Sequence, residues 1–143
     1  MTVKAILSRK GGDVVTIAPA ASLAEAVKLL AERRIGAIVV TSADERVAGI
    51  LSERDIVRVL AASGPGVLDE QVASVMTRKV VTCGESETVV SLMERMTAGK
   101  FRHLPVVDRG RLVGIISIGD VVKQRVEEIE GESNALREYI ATA

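Results

Sequence analysis

Gly49-Ile50-Leu51-Ser52-Glu53-Arg54-Asp55 and Gly114-Ile115-Ile116-Ser117-Ile118-Gly119-Asp120 are one pattern written twice. In each copy a glycine opens a short apolar strand that ends at a serine. An aspartate follows three residues later, and an apolar, charge-bearing run comes after it. The likeness extends on both sides of these corners. Residues 3–10 match residues 72–79, Val14-Val15-Thr16 matches Val80-Val81-Thr82, and residues 35–42 match residues 101–108. The first copy alone carries an inserted Gly11-Gly12-Asp13. A fixed internal period is read before any single element, because it decides the architecture. It divides the chain into two homologous halves, 1–62 and 72–124, a linker over 63–71 that contains Gly64-Pro65-Gly66, and an extension over 125–143.

Both halves carry the same signals. A helical turn over residues 3–7 leads to a short strand at 14–17, which Pro19 ends. Ser22 stands three residues before Glu25, a capping-box signature, and predicts a helix through about Arg33 with Leu23, Ala26, Val27 and Leu30 on its apolar stripe. Residues 35–40 form a continuous, β-branched apolar run too short for a helix, hence a buried strand. Asp44-Glu45-Arg46 turns the chain into a strand at 47–51, and Asp55 starts a helix to about Ala61. The second half repeats this with a helix over 88–98 and strands at 104–107 and 112–116, joined by a hairpin turn at Asp108-Arg109-Gly110-Arg111. The fold class is α/β (α+β): two β-α-β-β-α repeats related by a pseudo-two-fold axis, each a three-stranded sheet with two helices on one face. One half alone would expose that sheet, and two can bury it against each other.

Composition narrows the function. Hydrophobic residues make up 48% of the 143, enough for a core, but with one Phe, one Tyr and no Trp the core is aliphatic. Stacking platforms for single-stranded nucleic acid are therefore missing. Lys plus Arg and Asp plus Glu balance at 19 each, so composition implies no basic face for DNA or RNA. A single cysteine, Cys83, excludes an internal disulfide and suits a reducing cytoplasm. No apolar run approaches the roughly 18 residues of a membrane helix, and no signal peptide is visible.

The doubled Gly-x-x-Ser-x-x-Asp pattern, the Leu104-Pro105-Val106-Val107-Asp108 strand and the β-α-β-β-α order resemble a tandem pair of cystathionine-β-synthase (CBS) domains, a Bateman module. The resemblance covers residues 3–124, and no catalytic domain accompanies it. It implies a non-enzymatic, nucleotide-sensing regulatory module that binds adenosine-containing ligands (AMP, ADP, ATP or NAD) in two clefts between the halves. It also implies a homodimer that signals to a partner.

The chemistry of the corner suits such a ligand. A serine at a strand end lies beside the first N–H groups of the next helix, where the dipole favours a phosphate. An aspartate three residues on can accept from both hydroxyls of a ribose, each charge-assisted bond contributing about 1.5–3 kcal/mol. The same residues are also ordinary helix caps, so the residues alone leave both readings open. A purely structural dimerisation module is the alternative function.

By the resemblance, one cleft joins Ser52, Arg54 and Asp55 to Val81, Thr82, Phe101, Arg102 and His103. Arg102 and His103 resemble the phosphate-holding basic pair of nucleotide-sensing members, in reversed order. The other cleft joins Ser117, Gly119 and Asp120 to Thr16, Ala18, Ile35, Gly36 and Ala37. There the basic pair is replaced by a glycine and an alanine, so the Asp55 cleft is expected to take the more phosphate-dependent ligand. His103 is the sole histidine, which leaves little material for a histidine metal cluster or a serine–histidine pair. Cys83 reads as a core residue. In the extension, Val122, Val126, Ile129, Leu136 and Ile140 recur at helical spacing as a narrow seam for a second helix. Gly131 predicts a break or bend within it.

Overall fold

The computed structural model describes residues 1–142. The chain runs α1 (Val3–Lys10), β1 (Thr16–Ile17), α2 (Leu23–Arg33), β2 (Ala37–Thr41), β3 (Val47–Ser52) and α3 (Glu53–Ser63). Two 3-10 segments, Pro65–Asp69 and Val72–Ser74, then lead to α4 (Val89–Gly99), β4 (His103–Asp108), β5 (Arg111–Ser117) and α5 (Ile118–Thr142). The capping box at Ser22 is formed in both directions: Glu25 N–H donates to Ser22 Oγ, and Ser22 N–H donates to the Glu25 carboxylate, each at 3.2 Å. The two-residue turn between β4 and β5 places Arg109 at φ 53 and Gly110 at φ 80, the left-handed pair that matches strand twist in a tight hairpin.

The first half has the expected three-stranded sheet, β1-β2-β3, with β1 parallel and β3 antiparallel to β2. The second half differs. Its sheet has two strands, β4 and β5, and the third is reduced to a single parallel bridge between Cys83 and Val106. The repeat supplies the reason. In the first half Val39 N–H donates to Val15 O, and the residue in the place of Val39 is Pro105, which has no N–H to give. Val81, in the place of Val15, is thereby released from the ladder and is 41% exposed.

Two aliphatic clusters form the core, and they do not follow the halves of the sequence. Leu23, Leu30, Ile38, Val40, Leu51 and Ile56 pack with Val72 and Met76, which open the second half. Val89, Leu92, Leu104, Val106, Ile116 and Val121 pack with Val3 and Ile6 of α1. Each opening segment thus completes the other half's core. Val3 and Val72 are both fully buried, and each such side chain contributes about 1.5–3 kcal/mol. Paired backbone bonds fasten the exchange: Val3 N–H to Glu87 O and Val89 N–H to Met1 O on one side, Leu23 N–H to Glu70 O and Val72 N–H to Ala21 O on the other, all at 2.8–3.0 Å.

α5 runs unbroken for 25 residues, without the expected interruption at Gly131. Glycine lowers helix propensity by about 1 kcal/mol but, unlike proline, keeps its N–H. Its neighbours Glu130, Glu132, Ala135 and Leu136 are good helix formers. No helix among the described residues is long and apolar enough to cross a membrane.

The repeated glycine is required by the exchange. A Cβ at Gly49 would stand 2.5 Å from Met76 Sδ and 2.9 Å from the Thr77 carbonyl, whereas one at Gly114 would meet only Leu7, at 2.6 Å. The Thr77 carbonyl is locked, because Thr77 and Ile50 exchange both backbone bonds at 2.9 and 3.0 Å. Gly49→Ala is therefore expected to destabilise by about 1–3 kcal/mol, and Gly114→Ala by less, since the end of a leucine can turn away. Urea denaturation of the two variants measures the difference.

Candidate functional site

The two corners have the same internal geometry. Ser52 N–H and Ser52 Oγ each donate to Asp55 Oδ2 at 2.9 Å, and Asp55 N–H donates to Ser52 Oγ at 3.2 Å. Ser117 and Asp120 make the same three bonds at 2.9, 3.0 and 3.1 Å. Asp55 is the third residue of α3 rather than its start, because Ser52 is the cap. The expected open set of helix N–H groups is partly occupied: Glu53 N–H donates to Gly36 O at 3.0 Å, and Asp55 N–H to its own cap. Asp55 Oδ1 is left with only Arg58 Nη1 at 3.8 Å, from a side chain that is largely exposed.

The first corner opens into a cavity of about 460 Å³ between the halves, within the roughly 300–1,000 Å³ of ligand pockets. Ser52, Arg54 and Asp55 line one side, and Val81, Phe101, Arg102 and His103 the other. Of the residues assigned to this cleft only Thr82 is absent from its lining. The Thr82 carbonyl instead accepts from Arg95 Nη2 at 2.6 Å, and Arg95 is itself paired with Glu87. Gly36 and Ala37, assigned to the other cleft, line this one. The His103 ring passes 3.6 Å from where a Gly36 Cβ would stand, an ordinary contact distance that places the imidazole against this backbone.

Sequence reasoning missed Ile50, Glu53, Thr77, Lys79, Val80 and Gly99, which also line the cavity. Among the described residues, Arg54, Lys79 and Arg102 have no carboxylate within ion-pair distance. Three cations without an ion-pair partner thus line one cavity, all of them exposed and accompanied by the Glu53 carboxylate.

The second corner is arranged differently. Asp120 lines a hollow of about 150 Å³ with Lys10, Arg9 and Gln124. Thr16 faces a separate groove with Asp13 and Arg33. Ala18 is exposed, Ile35 packs against the first core, and Gly119 lies exposed beside Ser117. The residues assigned to this cleft are therefore not gathered into one space. Lys10 Nζ instead donates to Asp120 Oδ2 at 2.7 Å.

Of the groups held away from their ordinary values, three bear on the clefts and the lone cysteine. Burial first pushes the His103 imidazole down; Asp120 opposes this, while Lys10 and Arg102 add to it. For Asp120, burial alone would raise the carboxyl, but the Lys10 ammonium and the Ser117 donors outweigh it and hold the group below the usual carboxylate range. Burial, followed by the Glu87 carboxylate, pushes the Cys83 thiol up to about 11, which suits a packed core residue and not a nucleophile.

Residues 3–62 and 72–127 each match the CBS domain family. A CBS-domain containing protein from Agrobacterium tumefaciens is 52% identical, with a TM-score of 0.83 over 87% of this chain and 92% of its own. A CBS domain protein from Pyrobaculum aerophilum, complexed with AMP, is 30% identical, with a TM-score of 0.75 over 84% of this chain and 89% of its own. A CBS domain pair in complex with 5'-methylthioadenosine and S-adenosyl-L-methionine is 27% identical, with a TM-score of 0.80 over 90% and 98% of the two chains. Curated relatives are longer: the chain spans 58% of the first, a mitochondrial CBS domain-containing protein of Arabidopsis thaliana, and 21% of several others. Matched in both halves and sharing the fold of these pairs, the chain belongs to the CBS domain family.

Proposed function

We propose that this chain is a non-enzymatic regulatory module that binds an adenosine ligand bearing phosphate in the Asp55 cavity and passes its occupancy to a partner. One observation carries the reading: a single cavity joins a pre-set carboxylate, with one oxygen left for a ribose, to three unpaired cations suited to phosphate. Charge-assisted bonds of this kind are the stronger class of hydrogen bond. That two relatives are complexed with adenosine compounds supports the same ligand class. AMP is the ligand expected, with ADP, ATP or NAD as longer candidates that share its adenosine phosphate.

Ligand binding would act through the angle between the halves, since the cavity wall comes from both and a ligand shifts an equilibrium only by its differential affinity. The expected assembly is a homodimer. Beyond Glu128 every described residue of α5 is exposed, including Ile129, Leu136 and Ile140 at 51–65%. That seam favours self-association through the helix, and it also keeps the alternative of a purely structural dimerisation module in play.

Calorimetric titration with AMP, ADP, ATP, NAD and S-adenosylmethionine tests the first claim. Asp55→Asn is expected to weaken AMP binding roughly ten- to a hundredfold. If none of the five binds, the dimerisation module is the better description. A second prediction follows from His103, whose imidazole is held by burial below the ordinary value of about 6.5, which favours its neutral form at pH 7. A bound phosphate stabilises the imidazolium and raises that value, so binding near pH 6.5 should take up protons. Calorimetry in buffers of different ionisation enthalpy reads this uptake, and His103→Gln should reduce it. For the assembly, removing residues 131–143 should convert the dimer to a monomer by light scattering. A truncated protein that stays dimeric rejects the role given to α5.

A further inference from the structure

We propose that Lys10 is a built-in occupant of the Asp120 corner, so that each chain binds one ligand, at Asp55, and keeps its second corner closed. The proposal rests on the ligand class given above and deepens it by fixing stoichiometry.

Lys10 and Lys79 are the same position of the repeat, yet they are placed in opposite roles. Lys79 lines the open cavity and has no carboxylate within ion-pair distance among the described residues. Lys10 Nζ donates to Asp120 Oδ2 at 2.7 Å and to Ile115 O at 2.9 Å. Both acceptors are informative. The counterpart of Ile115 is Ile50, whose carbonyl takes the Thr77 N–H at 2.9 Å. A backbone bond at the first corner is thus replaced by a lysine ammonium at the second.

The inserted Gly11-Gly12-Asp13 makes this substitution possible. α1 stays helical through Lys10, and the chain then reverses at Gly11, φ 91. Gly12 is pressed against β5, where a Cβ would stand 2.9 Å from the Val113 carbonyl. The second copy lacks the insert. There the 3-10 segment stops at Ser74, and Thr77 is free to pair with Ile50. Arg9, beside the lysine, donates to Gln124 Oε1 at 2.7 Å and to Glu127 at 2.9 Å, which ties this end of α1 to α5.

Asp120 Oδ2 therefore has three donors already, namely the Ser117 N–H, the Ser117 hydroxyl and the ammonium. The space beside it is about 150 Å³, against about 460 Å³ at Asp55. A ribose approaching the remaining oxygen, Oδ1, would have to share this small hollow with the Lys10 ammonium, whose charge is already matched to the carboxylate.

The experiment counts AMP bound per chain by calorimetry. The wild type is expected to bind one and Lys10→Met two, with the second event lost in Lys10→Met/Asp120→Asn and the first retained. Two molecules per wild-type chain, or one per chain in a Lys10→Met protein with an unchanged melting temperature, would overturn the proposal. If neither protein binds AMP, the functional reading fails separately, and amine acetylation of the wild type decides about Lys10. Several-fold slower acetylation at Lys10 than at Lys79 supports the closed corner, and equal rates overturn it.

Discussion

The structure depends on an exchange: neither half can finish its core with its own residues. Val3 and Ile6 are buried in the second cluster, Val72 and Met76 in the first. Without the exchange each half would present an open flank, which a sheet of two or three strands cannot afford in water. The exchange also makes the clefts. It carries the end of each opening segment across the opposite strand-to-helix corner, setting Thr77 on Ile50 and Lys10 on Ile115. The candidate sites are a consequence of how the core is closed.

Because the sites arise from backbone paths, small backbone differences make them unequal. Pro105 withholds one N–H, and that releases Val81 from the ladder into the wall of the first cavity. Three inserted residues let α1 run on to Lys10, and that carries an ammonium onto the second aspartate. Neither change touches the Ser/Asp pattern itself. The pattern is the same in both copies, and the asymmetry lies wholly in what the exchange brings beside it.

Much of this was legible in the sequence, and the larger part of what was missed turns on long-range placement. Local signals were reliable: the Ser22 capping box, the left-handed Arg109-Gly110 turn and the apolar run of β2 are all realised. The grouping of the first corner with Phe101, Arg102 and His103 came from the family resemblance, and these residues line one cavity. The destination of each opening segment was not legible, because Val3 and Ile6 present the same apolar spacing whichever core receives them. Lys10, preceding two glycines, reads as the solvated end of a helix, and only three-dimensional proximity pairs it with a residue 110 positions away. Gly131 failed as a helix breaker because propensity is a weak prior that a long helix of good formers overrides. The reduced third strand was in principle readable from Pro105 against Val39, since a missing N–H is a sequence fact.

The cap and the proposed ligand site draw on different oxygens of the same aspartate. In each corner Oδ2 of the aspartate serves the cap, taking the serine N–H and hydroxyl. That bond set fixes the carboxylate's orientation before any ligand arrives, which lowers the ordering cost that binding would otherwise carry. At Asp55 the second oxygen meets only a distant, exposed arginine, and the cavity beside it is open. At Asp120 the cap is equally complete, but Lys10 joins on the same oxygen and the hollow is small. Both aspartates therefore support a helix start through the same capping bonds, while accessibility distinguishes them. A chain can keep the pattern twice for its fold and still offer it once for binding.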